Sequence, residues 1–350
     1  RNPDVLYASS YQRRRHVWTL IDGGPETGIY KSTDAGATWR ELETGLPKVD
    51  MGKIGMAISP ANPDVIYTVI EAQRDESGTY VSKDRGETWE KLSDYYARSP
   101  QYYNELVADP VDVDTVYSMD TWLHHTVDGG KTWTMVGEDN KHVDNHAMWI
   151  NPADTDHWVV GCDGGAYLSY DRGATWKFIA NLPITQFYRV SVDNSKPFYY
   201  VYGGTQDNNS LGGPHRTLDA NGISNEDWFV TVGGDGYETV VDPTNPNIVY
   251  SQWQYGGLVR YDRLSGEKID IQPQEEPGED AHRWNWDSPL IISPHSPTRL
   301  YHACQRVYRS DDRGNTWRAI SGDLSRPLDR NQLPLMGRIW SIDAVSKNRS

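Results

Sequence analysis

Short runs in which apolar and aromatic residues alternate with polar ones, bounded by Gly, Pro, Asn or Asp, fill this sequence from one end to the other. Alternation of that kind marks strands with distinct faces. One series of runs reads KIGMAIS (53–59), YNELVAD (103–109), NHAMWIN (145–151), FYRVSVD (187–193), GYETVVD (236–242), SPLIIS (288–293) and GRIWSID (337–343). A second series follows Pro/Asn/Asp turns: NPDVLY (2–7), NPDVIY (62–67), DVDTVY (112–117), DTDHWV (154–159), SKPFYY (195–200), NPNIVY (245–250) and SPTRLY (296–301). No segment between them keeps a helical period, so the fold class predicted is all-β.

A third pattern sets the repeat. SxDxGxTW, with Thr allowed for Ser, occurs at 32–39, 82–89, 126–133, 169–176 and 310–317, and two degenerate copies carry Asp219 with Trp228 and Asp262 with Gly266. The acids at 34, 84, 128, 171, 219, 262 and 312 recur every 43 to 50 residues, a period of repeat architectures. Each unit then reads strand, turn, strand, strand, boxed hairpin, strand. Units of four strands repeated about an axis make a propeller. The prediction is one domain over 1–350, a seven-bladed β-propeller of four-stranded antiparallel blades with inner strands near 53, 103, 145, 187, 236, 288 and 337. The sequence begins on the second strand of a unit and ends on the first strand of one, so residues 337–345 are expected to pair beside 4–10 and close the ring. The alternative is an open arc of a larger ring. Both ends read as excised from a longer chain.

Within the box, Ser or Thr and Asp can accept backbone N–H bonds, Gly supplies positive φ, and Trp packs on the neighbouring sheet. Asp34, Asp84, Asp128, Asp171 and Asp312, with Trp39, Trp89, Trp133, Trp176 and Trp317, are therefore read as structural. Five sites on separate units cannot converge on one substrate, which opposes a catalytic or calcium-binding reading.

Composition narrows the function. A net charge of −15 opposes a nucleic-acid or anionic-membrane partner, and no apolar run is long enough to span a bilayer. Cys162 and Cys304 give no disulfide framework or metal-ligand spacing, and two separate, mostly buried thiols are expected. With 14 Trp and 22 Tyr against 4 Phe, the aromatics suit half-wet packing and ligand surfaces.

The box is the Asp-box, or bacterial neuraminidase (BNR) repeat. With DNHAMWINP, DGGAYLSYDRGATW, QFYRVSVD and GGTQDNNS in order, the whole chain resembles the bacterial sortilin-like or "glycosyl hydrolase, BNR repeat" family. More distantly it is similar to two-propeller xyloglucan hydrolases and ten-bladed sortilin receptors. The resemblance implies an extracellular, cell-surface or periplasmic protein and allows one propeller to be inserted in another. Sialidases share the box, but this sequence has no Arg-Ile-Pro element and no matching arginine triad, so sialidase activity is not expected. The paired aspartates of the xyloglucan hydrolases are not matched by motif.

Candidate chemistry lies where loops enter the inner strands. The HVDNHAMW cluster offers His142, Asp144 and His146 as alternate residues of an extended strand, readable as metal ligands or as hydrogen-bonding groups that fix the channel. The cluster is read without a metal. Candidate acid/base groups are Asp144, Asp235 and Asp287; candidate ligand-binding residues are His142, Asn145, His146, Gln186, Gln206, Asp207, Trp284, Trp286 and Arg338. The GGTQDNNSLGG loop lacks the lysine and following helix of a phosphate loop. The acidic stretch 272–284 reads as a solvated flap, with a structural cation on Glu275, Glu276, Glu279 and Asp280 as its alternative; no other cofactor is expected. The leading function is a binding or scaffold module for a protein, peptide or glycan ligand, or for another propeller of the same chain. The alternative is a glycoside hydrolase or half of a two-propeller one.

Overall fold

The computed structural model describes residues 2–16, 19–73, 75–182 and 184–325. Among these the only helix is one 3-10 turn, Asn225–Asp227, so the chain is all-β. It divides into two compact units, which meet in sequence at 182/183.

In the first unit, strands Met51–Ile58, Ile66–Ala72, Gly78–Ser82 and Glu90–Ser93 form a four-stranded antiparallel meander. Two more such sheets span 106–135 and 145–178. A three-stranded sheet of Leu6–Ser9, Ile29–Ser32 and Arg40–Leu42 precedes them, and a separate hairpin of Arg13–His16 and Thr19–Asp22 is inserted between its first two strands. In the second unit three four-stranded meanders span 187–232, 239–270 and 290–319. The repeat order read from the sequence is thus present in six sheets, while the inserted hairpin carries no repeat signal and was not expected. The closing strand 337–345 lies outside the described residues.

Burial on both faces explains why the second strands are almost continuously apolar. Ile66 and Ile70 face the preceding sheet, clustering with Ile29, Leu42 and Leu46, whereas Val65, Tyr67 and Val69 face the next, clustering with Leu106, Ala108 and Val116. The period of two along one strand therefore serves two cores. Trp158 joins Tyr117 and Val136 in the following layer, and Tyr250, Leu258 and Ile271 meet Leu290 and Leu300 in the second unit.

The five boxes share one hydrogen-bond pattern. In the second sheet the Ser82 hydroxyl donates to Asp84 (2.8 Å) and accepts from Gly86 N–H (2.7 Å), while Asp84 accepts Thr88 N–H (2.9 Å) and the Thr88 hydroxyl (2.6 Å). The same bonds close the turns at Asp34, Asp128, Asp171 and Asp312. Hydrogen bonds from Thr38 and Thr88 hold Asp34 and Asp84 down at about 2. The residue after each Asp adopts positive φ even where it is Ala35, Arg85, Arg172 or Arg313. That conformation is strained for a residue with a Cβ.

A long-range bond holds it there. The N–H of that residue donates to a carbonyl in the Pro/Asn/Asp turn of its own sheet: Ala35 to Asp4 (2.9 Å), Arg85 to Asp64 (3.0 Å), Gly129 to Asp114 (2.9 Å), Arg172 to Asp156 (3.2 Å) and Arg313 to Thr298 (2.9 Å). The two sequence rulers are thus bonded halves of one device. The degenerate copy keeps it, with Arg263 N–H on Asn247 O at 2.9 Å. The boxes at 82–89 and 310–317 also touch the preceding sheet: the Tyr7 hydroxyl and Lys31 Nζ donate to Arg85 O (2.7 and 2.8 Å), and Trp317 Nε1 donates to Ile271 O (2.7 Å).

Two expectations need correction. Trp39 is 43% exposed, its indole N–H bonded to Gly36 in its own turn, so not every box tryptophan packs on a neighbour. Cys162 and Cys304 are free but only partly buried.

Candidate functional site

In the first unit the inner-strand entries are built largely for internal bonding. Asn104, fully buried at φ 84°, donates through Nδ2 to the carbonyls of Lys53 (2.9 Å) and Val69 (3.3 Å), pinning one sheet to the previous one. Asn145 repeats this a sheet later: its Nδ2 donates to Glu138 (2.9 Å) and its Oδ1 accepts from Lys141 Nζ (2.5 Å). Lys141 is itself paired with Glu138 at 2.7 Å, so this buried charge is neutralised. Asn145 is fully buried and presents nothing to solvent.

The three residues of the HVDNHAMW cluster turn to different partners. Asp144, at φ 66°, accepts the Tyr103 hydroxyl. His146 Nε2 lies 3.0 Å from Asp163, which raises the imidazole pKa, and its ring stacks on Tyr103 at 5.1 Å. His142 Nδ1 lies 2.9 Å from the Val143 carbonyl.

A cluster the sequence reading missed sits where the inserted hairpin meets the first inner strand. Gly24 N–H bonds Met51 O at 3.0 Å, and a register shift between Met51 and Ile54 sets Lys53 N–H on Glu71 at 3.2 Å. Asp22 and Glu71 are 3% and 7% exposed. The Tyr11 hydroxyl donates to Asp22, whose other oxygen is buried with no partner among the described residues. Burial raises Asp22 to about 6, against the pull of Lys53. Burial, then the Asp22 charge, raises Glu71 to about 8. The available signal was a lone acid in the apolar run IYTVIEA.

In the second unit, the strand-entry residues again meet one another. The Tyr188 hydroxyl donates to Gln206 at 2.5 Å and its ring stacks on Tyr237 at 5.0 Å. Asp207, at φ 61°, donates its N–H to the buried Asp235 at 2.8 Å. Arg189 reaches Asp287 at 3.3 Å. Beside them burial raises the Glu238 carboxyl, with Asp287 adding to the rise and Arg189 opposing it.

Trp284 stacks on fully buried His302 at 4.8 Å, and Trp286 meets Tyr255 edge-on at 4.9 Å. Gln186 is exposed, and Arg338 lies outside the described residues. In the acidic stretch, Glu275 accepts His282 N–H at 2.5 Å and Glu279 pairs with Arg306 at 3.0 Å, so two of its four acids already have internal partners.

The BNR/Asp-box repeat family matches residues 80–91, the box of the second sheet. No curated protein matches the sequence. Among solved structures, a GH74 xyloglucanase from Xanthomonas campestris is 18% identical over 92% of this chain and 44% of its own, with a TM-score of 0.37. A GH74 enzyme from Niastella koreensis is 14% identical over 89% of this chain and 66% of its own, also at 0.37. YCF48 from Cyanidioschyzon merolae is 15% identical over 83% and 90%, at 0.32. The chain spans less than two thirds of the length of both GH74 proteins.

Proposed function

We propose that this chain is a binding or scaffold module, a seven-bladed propeller closed by its terminal strands, which engages a protein, peptide or glycan through the strand-entry face in a secreted or surface-exposed setting. The observation that carries the reading is that Asp144, Asp235 and Asp287 each have an internal partner: the Tyr103 hydroxyl, the Asp207 N–H and the Arg189 guanidinium. Groups so engaged rigidify a surface, whereas glycoside hydrolysis needs two carboxyls free to face a scissile bond.

One observation favours the hydrolase alternative. Glu238 has a raised pKa close to Asp287, and two acids in unlike environments are the usual basis of an acid/base pair. The two readings separate in one experiment, in which the full chain is assayed for reducing-end release on a panel of plant and bacterial polysaccharides and, in parallel, for binding to them. The binding reading expects no turnover by the wild type. Turnover that falls by about a hundredfold or more in Glu238→Gln or Asp287→Asn would replace it with the hydrolase.

A further inference from the structure

The inserted hairpin carries Arg13, Arg14 and Arg15 in succession, all exposed, on a chain whose net charge is −15. Elsewhere arginines find carboxylates: Arg85 with Asp64 at 2.6 Å, Arg172 with Asp156 at 2.5 Å, Arg299 with Asp311 at 2.6 Å and Arg313 with Asp242 at 2.8 Å. Arg13, Arg14 and Arg15 have no side-chain hydrogen bond or ion pair among the described residues. Three adjacent guanidinium groups repel one another, and none of them is paired with a carboxylate among the described residues.

The backbone beside them is also open. The hairpin is a two-stranded sheet, so each of its strands has one edge with no neighbour among the described residues. Arg13 pairs with Asp22, Arg14 with Ile21 and Arg15 with Leu20, and in the same register Gly23 N–H bonds Gln12 O at 2.9 Å. Bonded and non-bonded pairs alternate along an antiparallel ladder. Gln12–Gly23 is bonded, which makes Arg14–Ile21 bonded and turns the N–H and C=O of Arg13 and Arg15 outward to the free edge. Their side chains share one face of the hairpin; that of Arg14 takes the other.

We propose that this edge is a docking site for an extended acidic peptide, which adds as a third strand and sets carboxylates two residues apart opposite Arg13 and Arg15. Residues directly opposite on adjacent strands hold their Cβ atoms about 5 Å apart, within reach of an Arg–carboxylate fork. Main-chain bonds supply a register and the two arginines supply the selection for acids at alternate positions. A hairpin alone is marginally stable, and a third strand would complete it. This site uses none of Asp144, Asp235 and Asp287, whose partners carry the reading above, so it can fail without affecting that reading.

The test is fluorescence anisotropy of a labelled Glu-Val-Glu-Thr-Glu-Val-Glu peptide titrated with the full chain. Saturable binding is expected, weakened about tenfold or more by Arg13→Ala with Arg15→Ala, and about twofold or less by Arg14→Ala. A peptide N-methylated at its glutamates keeps every charge but loses the main-chain donors, and should bind at least about tenfold more weakly to the unaltered protein. Absent binding, equal losses at Arg13/Arg15 and Arg14, or undiminished binding of the N-methylated peptide would each overturn the proposal. So would heparin binding that depends on Arg13 and Arg15 when the peptide does not bind.

Discussion

Trp89→Ala is expected to destabilise the protein by about 3–5 kcal/mol, the range for emptying a large aromatic site in a core. Trp39→Ala, the same change at the same motif position one repeat earlier, should cost about 1 kcal/mol or less. Trp89 is 6% exposed and belongs to the cluster of Ile29, Leu42 and Ile70 between the first two sheets, whereas Trp39 is 43% exposed. Trp89 Nε1 is buried without a partner among the described residues, so Trp89→Phe should cost far less than the alanine change. Urea denaturation of the three variants checks the series. Equal losses at Trp39 and Trp89 would mean that the motif acts within its turn alone.

Glu71→Gln should stabilise the protein in mild alkali. The folded-state pKa values of Glu71, about 8, and Asp22, about 6, lie above their ordinary values of 4.5 and 3.8. A raised carboxyl binds its proton more tightly in the folded state, so its stabilising contribution is complete below the ordinary value and is lost as pH rises through the folded one. Wild-type melting temperature should therefore fall in two steps, first between about pH 4 and 6 and then up to about pH 8. Glu71→Gln removes the second step and should gain a few kcal/mol at pH 9, where the wild type holds two buried charges. Melting curves from pH 4 to pH 9 check this, and parallel profiles for wild type and variant would contradict it.

Strand order and the box turn were legible because both obey local rules: alternation reports a pleat, and Ser, Asp and Gly at fixed spacing report a turn. The bond from Arg85 N–H to Asp64 was not legible, although both motifs were recognised, because nothing local says that two turns touch. The hairpin at Arg13–His16 escaped because it interrupts a repeat instead of following one. At the candidate site, residue types pointed to Asp144 and Asp235, but their partners Tyr103 and the Asp207 backbone come from other strands and loops. Asn145 looked like a ligand group and is a buried tie between sheets, since an amide serves either purpose equally well. Asp22 and Glu71 lie far apart in sequence and are joined only through a register shift in Met51–Ile58.

Each acid-bearing turn is a bonded tie between segments of its own sheet, repeated five times. Native-state hydrogen exchange at the amides of Gly36, Gly86, Gly130, Gly173 and Gly314, and of the residues just before them, measures it most directly, because every one of those amides is assigned a named acceptor. Slow exchange at all five turns, comparable to the strands beside them, is the result expected. Exchange at the rate of an open loop in the intact turns would contradict it.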